Sequence, residues 1–260
     1  MTSEAYASLS AARDEFRGLV RSWNAGHRYL RKAQEALREE RGYSDYRVET
    51  PIVYNRALDE VGPADEPSVV LVADNPGKRE QLEANNRYLV GQSGKLAESW
   101  FRRELGLDFR REVLILNKTP VHTPKTAELA ILARLSRGDR ERLASLLAES
   151  QAAMADIAWR LYLALRAGAR ASSSAARPVA LWISGLGELR RGGLFETYRD
   201  ELGSRLAEAA AEEREGVWAF NHFSMNQFAI ELKRKARPGA PLLAELGRIG
   251  RENRVRVFGR

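Results

Sequence analysis

The chain has 260 residues, 44% of them hydrophobic, which is enough for one large α/β core. Its 42 Lys and Arg against 35 Asp and Glu give a formal net charge of +7, and Arg far outnumbers Lys; a polyanionic partner and an Arg-rich composition that merely solvates helices both fit that balance. The absence of Cys excludes disulfides, thiolate catalysis and Cys-ligated zinc or iron–sulfur clusters, and no apolar stretch approaches the ~18 residues of a membrane span.

From Ser3 to about Arg41 the apolar residues recur with helical spacing (Phe16, Leu19, Val20, Trp23, then Leu30, Ala33, Leu37), which predicts two helices hinged near Asn24-Ala25-Gly26. Residues 1–50 therefore read as an N-terminal helical extension of a single domain covering 1–260. Met1 to Asn24 mixes acidic and basic residues without an apolar centre, so no signal peptide is expected and a soluble cytoplasmic protein is. Gly42 to Pro67 is irregular, with turn residues bracketing a short helix around Tyr54 to Val61.

Four short apolar runs follow, each ending in a polar, turn-forming cluster. Val69 to Ala73 runs into Asp74-Asn75-Pro76-Gly77, and Val113 to Leu116 into Asn117-Lys118. Val179 to Ile183 runs into Ser184-Gly185, and Val217 to Phe220 into Asn221-His222-Phe223-Ser224. Separated by long helical stretches, such runs read as buried parallel strands in a three-layer α/β/α sandwich with a central four-stranded parallel sheet.

Between the first two strands the charged stretch Lys78 to Arg87 gives way to a helix with Ser93 as N-cap and Leu96, Trp100, Phe101 and Leu105 as its buried stripe. After the second strand, two prolines in Thr119 to Pro124 forbid a central strand, and a helical hairpin spans about Ala127 to Ala169. Ser172-Ser173-Ser174 reads as a flexible surface loop. A helix near Gly187 to Leu206, interrupted at Gly192-Gly193, precedes the fourth strand. Helices over about Gln227 to Arg234 and Leu242 to Glu252 complete the chain.

Parallel sheets bind ligands outside the carboxyl ends of their strands, so Asn75, Asn117 and His222 should converge on one cleft. Pro76 biases Asn75 away from helical backbone and Gly77 permits positive φ, a turn that either holds the Asn75 amide at the sheet edge to orient a water or is simple punctuation. Asn117 offers a donor and an acceptor that match the edge of a uracil-type base, or ties the following loop to backbone. His222 is either a satisfied structural histidine or a donor to a developing oxyanion. His27, His122 and His222 lack i, i+4 spacing, so no histidine metal site and no cofactor is expected.

Taken together these segments resemble the uracil-DNA glycosylase superfamily over about Ser68 to Phe228. Ala73 to Glu80 followed by Tyr88 to Leu96 is similar to the first motif of its iron–sulfur branch, Gly-Glu-Ala-Pro-Gly-x-x-Glu then Pro-Phe-Val-Gly-x-Ser-Gly-x-Leu. Leu116 to Pro120 matches that branch's strand-end Asn, and Asn221 to Ser224 resembles the His-Pro-Ser motif. The resemblance implies that Asn75 positions water, Asn117 reads a flipped uracil and His222 stabilises charge on its O2. It also implies that Gly77, Ser93, Lys95 and Ser224 lie near DNA phosphates and that Met225 or Asn226 is the wedge entering the vacated stack.

The departures are specific. Asp74 brings a carboxylate to the base pocket, Leu89 stands where an aromatic ring stacks on uracil, with Tyr88 as a substitute, and Phe223 replaces the proline of His-Pro-Ser. Without Cys the iron–sulfur cluster of that branch is absent. The expectation is a monomeric, monofunctional glycosylase acting on uracil in single- or double-stranded DNA, in base excision repair. Two alternatives stay open: excision of deaminated purines or other altered bases, and a non-catalytic nucleic-acid-binding member.

Overall fold

The computed structural model describes residues 1–171 and 178–259; the serine run at Ser172 to Ser174 lies outside the described residues. Four strands, β1 (Val69–Ala73), β2 (Val113–Asn117), β3 (Ala180–Ser184) and β4 (Val217–Phe220), form one sheet in the order β2-β1-β3-β4, with every pairing parallel. All their residues are buried, as expected of strands covered on both faces. The architecture is a three-layer α/β/α sandwich.

The helices are α1 (Ser3–Gly26), α2 (Tyr29–Glu40), α3 (Gln92–Trp100), α4 (Glu128–Leu135), α5 (Arg140–Ala171), α6 (Glu196–Glu208), α7 (Ala211–Glu215), α8 (Gln227–Lys235) and α9 (Leu242–Phe258). One layer is α5 lying across β1, β2 and β3, with α1 and α6 packed on it. On the opposite face the Trp182 ring of β3 meets Trp100 of α3 at 5.9 Å and Phe228 of α8 at 5.5 Å, edge-on and tilted geometries that aromatic quadrupoles favour. Among the described residues no helix is long and apolar enough to cross a membrane.

The N-terminal segment shares the main core. Leu9, Phe16, Val20 and Trp23 bury the face of α1, and Trp23 donates to Glu149 of α5 at 2.8 Å. Gln34 of α2 donates to the carbonyls of Pro51 and His122, at 3.0 and 2.8 Å, which ties α2 to the chain just beyond β2.

Several boundaries differ from expectation. The helix after Gly91 begins at Gln92 with Gly91 as N-cap, so Ser93 is not the cap; Lys95 N–H bonds the Gly91 carbonyl, and the buried stripe is Gly94, Ala97, Trp100 and Phe101, with Leu96 and Leu105 only half-buried. The stretch after β3 is a single 3₁₀ turn at Gly187–Leu189, with α6 starting only at Glu196, because Gly192 takes a left-handed φ of 69°. Helix α7 has no sequence signal beyond charge, and α9 runs six residues past Glu252, to Phe258.

Because β2 lies on one side of β1 while β3 and β4 extend the other way, the connections diverge between β1 and β3. A crevice opens at such a switch point. Asp74 and Gly185, the residues that follow those two strands, face each other there: a side chain on Gly185, whose φ is +87°, would collide with the Asp74 carboxylate.

Candidate functional site

A cleft of about 1940 Å³ lies over the carboxyl ends of the strands. Its wall includes Asn75, His222, Asp74, Leu89, Lys95 and Met225, and also Gly77, Ser93 and Ser224. Residues as far apart as Asp74 and Met225, 151 positions, are thus brought together, as the strand-end pattern requires.

Asn75 is held by its amide nitrogen. Nδ2 donates to the Thr123 hydroxyl at 2.9 Å and faces the carbonyls of Val121 and Thr123 at 3.3 and 3.4 Å. Three oxygens around one end of the amide identify it as the nitrogen, which leaves Oδ1 without a protein partner among the described residues. The Pro76 carbonyl is fixed in turn by His122 Nδ1 at 2.8 Å. His122 is fully buried, and desolvation pushes its pKa down to about 4, so it stays neutral and structural. Gly77 does not take the positive φ expected for it; its N–H instead donates to the Glu80 carboxylate at 3.2 Å.

His222 is fixed as a donor. The Ser224 N–H donates to His222 Nδ1 at 2.9 Å, and the Ser224 hydroxyl lies 2.8 Å from the same nitrogen. A backbone N–H can only donate, so Nδ1 is the acceptor and the neutral ring carries its proton on Nε2. Burial holds the His222 pKa below its ordinary value, with Asp74 opposing that and Lys118 adding to it. Phe223 is buried against Phe228 at 4.9 Å and Phe101 at 6.1 Å, so this aromatic anchor holds the loop in place of a proline.

Below the cleft runs an ion pair that sequence reasoning missed. The Lys118 ammonium, fully buried, donates to the Asp74 carboxylate and to the Ser184 carbonyl, and sits 4.9 Å from the Phe195 ring centroid. Burial lowers the Lys118 pKa, while Asp74 and Glu188 raise it. The other Asp74 oxygen accepts from the Thr126 hydroxyl at 3.3 Å. Asp74 is therefore on the wall but already committed to protein donors. Ser184 and Gly185, the polar end of the third apolar run, supply the carbonyl that holds Lys118 and part of the wall.

The expected base contacts divide. Leu89 is on the wall with a left-handed φ of 52°, and the start of α3 presses on its backbone where Gly94 has no side chain. Tyr88 is not in the cleft: it is wholly buried, its hydroxyl donating to the Val53 carbonyl at 2.6 Å and its N–H to Asn55 Oδ1 at 3.1 Å, so it cannot replace the missing aromatic ring. Asn117 ends β2 in register with Ala73, which is on the wall, yet is itself only 1% exposed and lies beneath it. Both its amide atoms are buried without a partner, a state that costs about 1–3 kcal/mol per group until a ligand or water fills it.

On the rim, Met225 is 80% exposed, and Met225 and Asn226 adopt left-handed φ values of 49° and 58° in succession. Lys95 is exposed at the first turn of α3, and Ser93 is half-buried beside it. Among the described residues no three His, Asp or Glu are grouped to hold a metal ion. No family model matches the chain, and no curated protein matches it significantly. The chemistry of the cleft is then the basis for assigning function.

Proposed function

We propose that this chain is a monofunctional DNA glycosylase of the uracil-DNA glycosylase type, a monomer acting on DNA in the cytoplasm and hydrolysing the N-glycosidic bond of uracil. The supporting observation is the pairing in one cleft of a histidine fixed as an Nε2–H donor with an asparagine whose Oδ1 is free. The bond from the base nitrogen to C1′ breaks heterolytically, and its electron pair leaves with the base. His222 Nε2–H then stabilises the oxyanion, a contribution worth about 3 kcal/mol in a preorganised site. Asn75 Oδ1 accepts a hydrogen bond from the water that adds to C1′, and the proton released passes to solvent. Lys118 is committed to Asp74 and Ser184, so no Schiff base enters the scheme. Met225, exposed on a left-handed tip, fills the stack vacated by the flipped base.

A second substrate range has its own support. With Tyr88 in the core and Leu89 at the wall, neither residue of that pair stacks a ring on the base, and the Asp74 oxygens, each with a lone pair left beside Lys118 and Thr126, can accept from a base bearing extra N–H donors such as a deaminated purine. Labelled oligonucleotides containing uracil, hypoxanthine or xanthine, single- and double-stranded, decide between them. Base release followed by strand scission only after alkali is expected for one class. Asn75→Ala and His222→Ala should each lose about 10²–10³-fold. Full release by both variants refutes the mechanism, and binding without release on every substrate points to a non-catalytic nucleic-acid-binding protein.

A further inference from the structure

The carboxylates on the cleft wall are all engaged. Asp45 pairs with Lys78 at 2.7 Å, Glu49 accepts from the Glu83 N–H at 2.7 Å, and Asp74 pairs with Lys118. Glu80 accepts from the Gly77 N–H, and Glu188 from the Leu194 N–H at 3.3 Å. Several wall cations are not engaged. Arg47, Arg79, Lys95 and Lys125 are exposed, line the cleft, and make no side-chain hydrogen bond or ion pair among the described residues. Four wall cations therefore lack an ion-pair partner, against three wall carboxylates, Glu49, Glu80 and Glu188, that are held by backbone N–H groups.

These cations fall on two sides. Lys95 stands with Ser93, Ser224 and Met225, where α3 meets the loop after β4. Arg79 follows β1, Lys125 follows β2, and Arg47 comes from the segment between α2 and β1. Since β2 and β4 are opposite edges of the sheet, three strand spacings separate them, about 14 Å. The Arg47 segment is braced there: Gln81 Nε2 donates to the Arg47 carbonyl at 2.8 Å, Gln81 Oε1 accepts from Glu49 N–H at 2.6 Å, and the Lys78 ammonium lies over the Tyr43 ring at 3.9 Å. Long basic side chains on a braced backbone at the mouth of a cleft are placed to meet a chain of phosphates.

We infer that Arg47, Arg79 and Lys125 form a second phosphate-binding rim, opposite the one at Ser93, Lys95 and Ser224, so that a DNA strand crosses the cleft between them and the N-terminal extension is part of the DNA-binding surface. The partner's identity as DNA rests on the glycosylase reading; the rim itself rests on the unpaired cations. Each phosphate contact releases condensed counterions, so three contacts contribute about 2 to the slope of log K against log salt on a single strand.

The test is fluorescence anisotropy with a labelled single-stranded oligonucleotide carrying a central tetrahydrofuran abasic analogue, titrated across a series of KCl concentrations. The triple variant Arg47→Gln, Arg79→Gln, Lys125→Gln should flatten the slope by about 2 and weaken binding. A control with the same change in charge off the cleft, Arg21→Gln, Arg140→Gln, Arg256→Gln, should keep the wild-type slope. A rim variant with the wild-type slope, equal flattening in both triples, or a wild type that does not bind the oligonucleotide overturns the inference. If uracil is released but the rim variant keeps its slope, the rim fails and the glycosylase reading stands. If the slope falls as expected but no base is released, the rim stands as a nucleic-acid surface and the reaction fails.

Discussion

Glu80 offers the sharpest quantitative test. It is 8% exposed, and its carboxylate accepts N–H bonds from Gly77 in the Asn75 turn and from Leu89 and Val90 on the opposite wall. One side chain thus fastens the Asn75 turn to the Leu89-Val90 segment. Burial pushes its pKa from 4.5 to about 7, against the pull of those N–H groups and of Arg110. A carboxyl raised on folding stabilises the native state when protonated. That contribution is full below the unfolded pKa of 4.5 and disappears as pH rises through about 7.

The gap, at about 1.4 kcal/mol per pH unit, amounts to about 3 kcal/mol, of which about 2.5 kcal/mol falls between pH 5 and pH 8. Glu80→Gln keeps the shape, cannot ionise and loses one acceptor, so it shifts stability by a constant while removing the pH-dependent part. Urea unfolding followed by tryptophan fluorescence at pH 5 and pH 8 should show the difference between wild type and variant moving by about 2.5 kcal/mol, with wild type losing ground at the higher pH. Curves that stay parallel to within about 0.5 kcal/mol would refute the reasoning.

Three further outcomes follow from the same geometry. Lys118→Met strands the Asp74 carboxylate and should cost about 3–5 kcal/mol in denaturant unfolding, with Asp74→Asn in the same chain recovering much of it; a loss under about 1 kcal/mol would show the pair to be solvent-screened. Gly94→Ala places a methyl group in the backbone of Leu89, so melting temperature and base release should fall together, whereas Gly91→Ala, with open space around it, should leave stability unchanged. Nitrogen NMR of the histidines at pH 7 should find His222 as the Nε2–H tautomer, and Ser224→Ala, which keeps the backbone N–H that donates to Nδ1, should leave it so; an Nδ1–H signal in wild type contradicts the proposed oxyanion role.

The sheet was legible because a parallel strand buried on both faces is dominated by apolar residues: β1 and β4 fall where their apolar runs predict, β2 extends by Asn117, and β3 is shifted by one residue, from Val179–Ile183 to Ala180–Ser184. The convergence of Asn75 and His222 followed from that pattern plus topology. Lys118 was not legible, because a lysine after a strand reads as solvent-exposed and its partners lie 44 and 66 positions away. That Tyr88 lies in the core while Leu89 lines the cleft was not legible, because their orientation depends on a left-handed φ at Leu89, a conformation that propensity assigns to glycine or asparagine. Ser93 lost the cap to Gly91 because the close approach of Gly94 to Leu89 sets where the helix begins.

The two left-handed residues at the cleft rim bear on how this protein can be improved by selection. Met225 holds a backbone conformation that costs a non-glycine residue on the order of 1 kcal/mol, Asn226 beside it is of a type that adopts that conformation more readily, and both are exposed to solvent, where no packing offsets the cost. Glycine at Met225 would relieve that strain, so a library screened for thermal resistance will be drawn to this codon. The tip would gain stability by losing both its side chain and its stiffness. A hardier protein that keeps the Met225 side chain will come from mutations elsewhere, chosen with the proposed activity as a condition of survival.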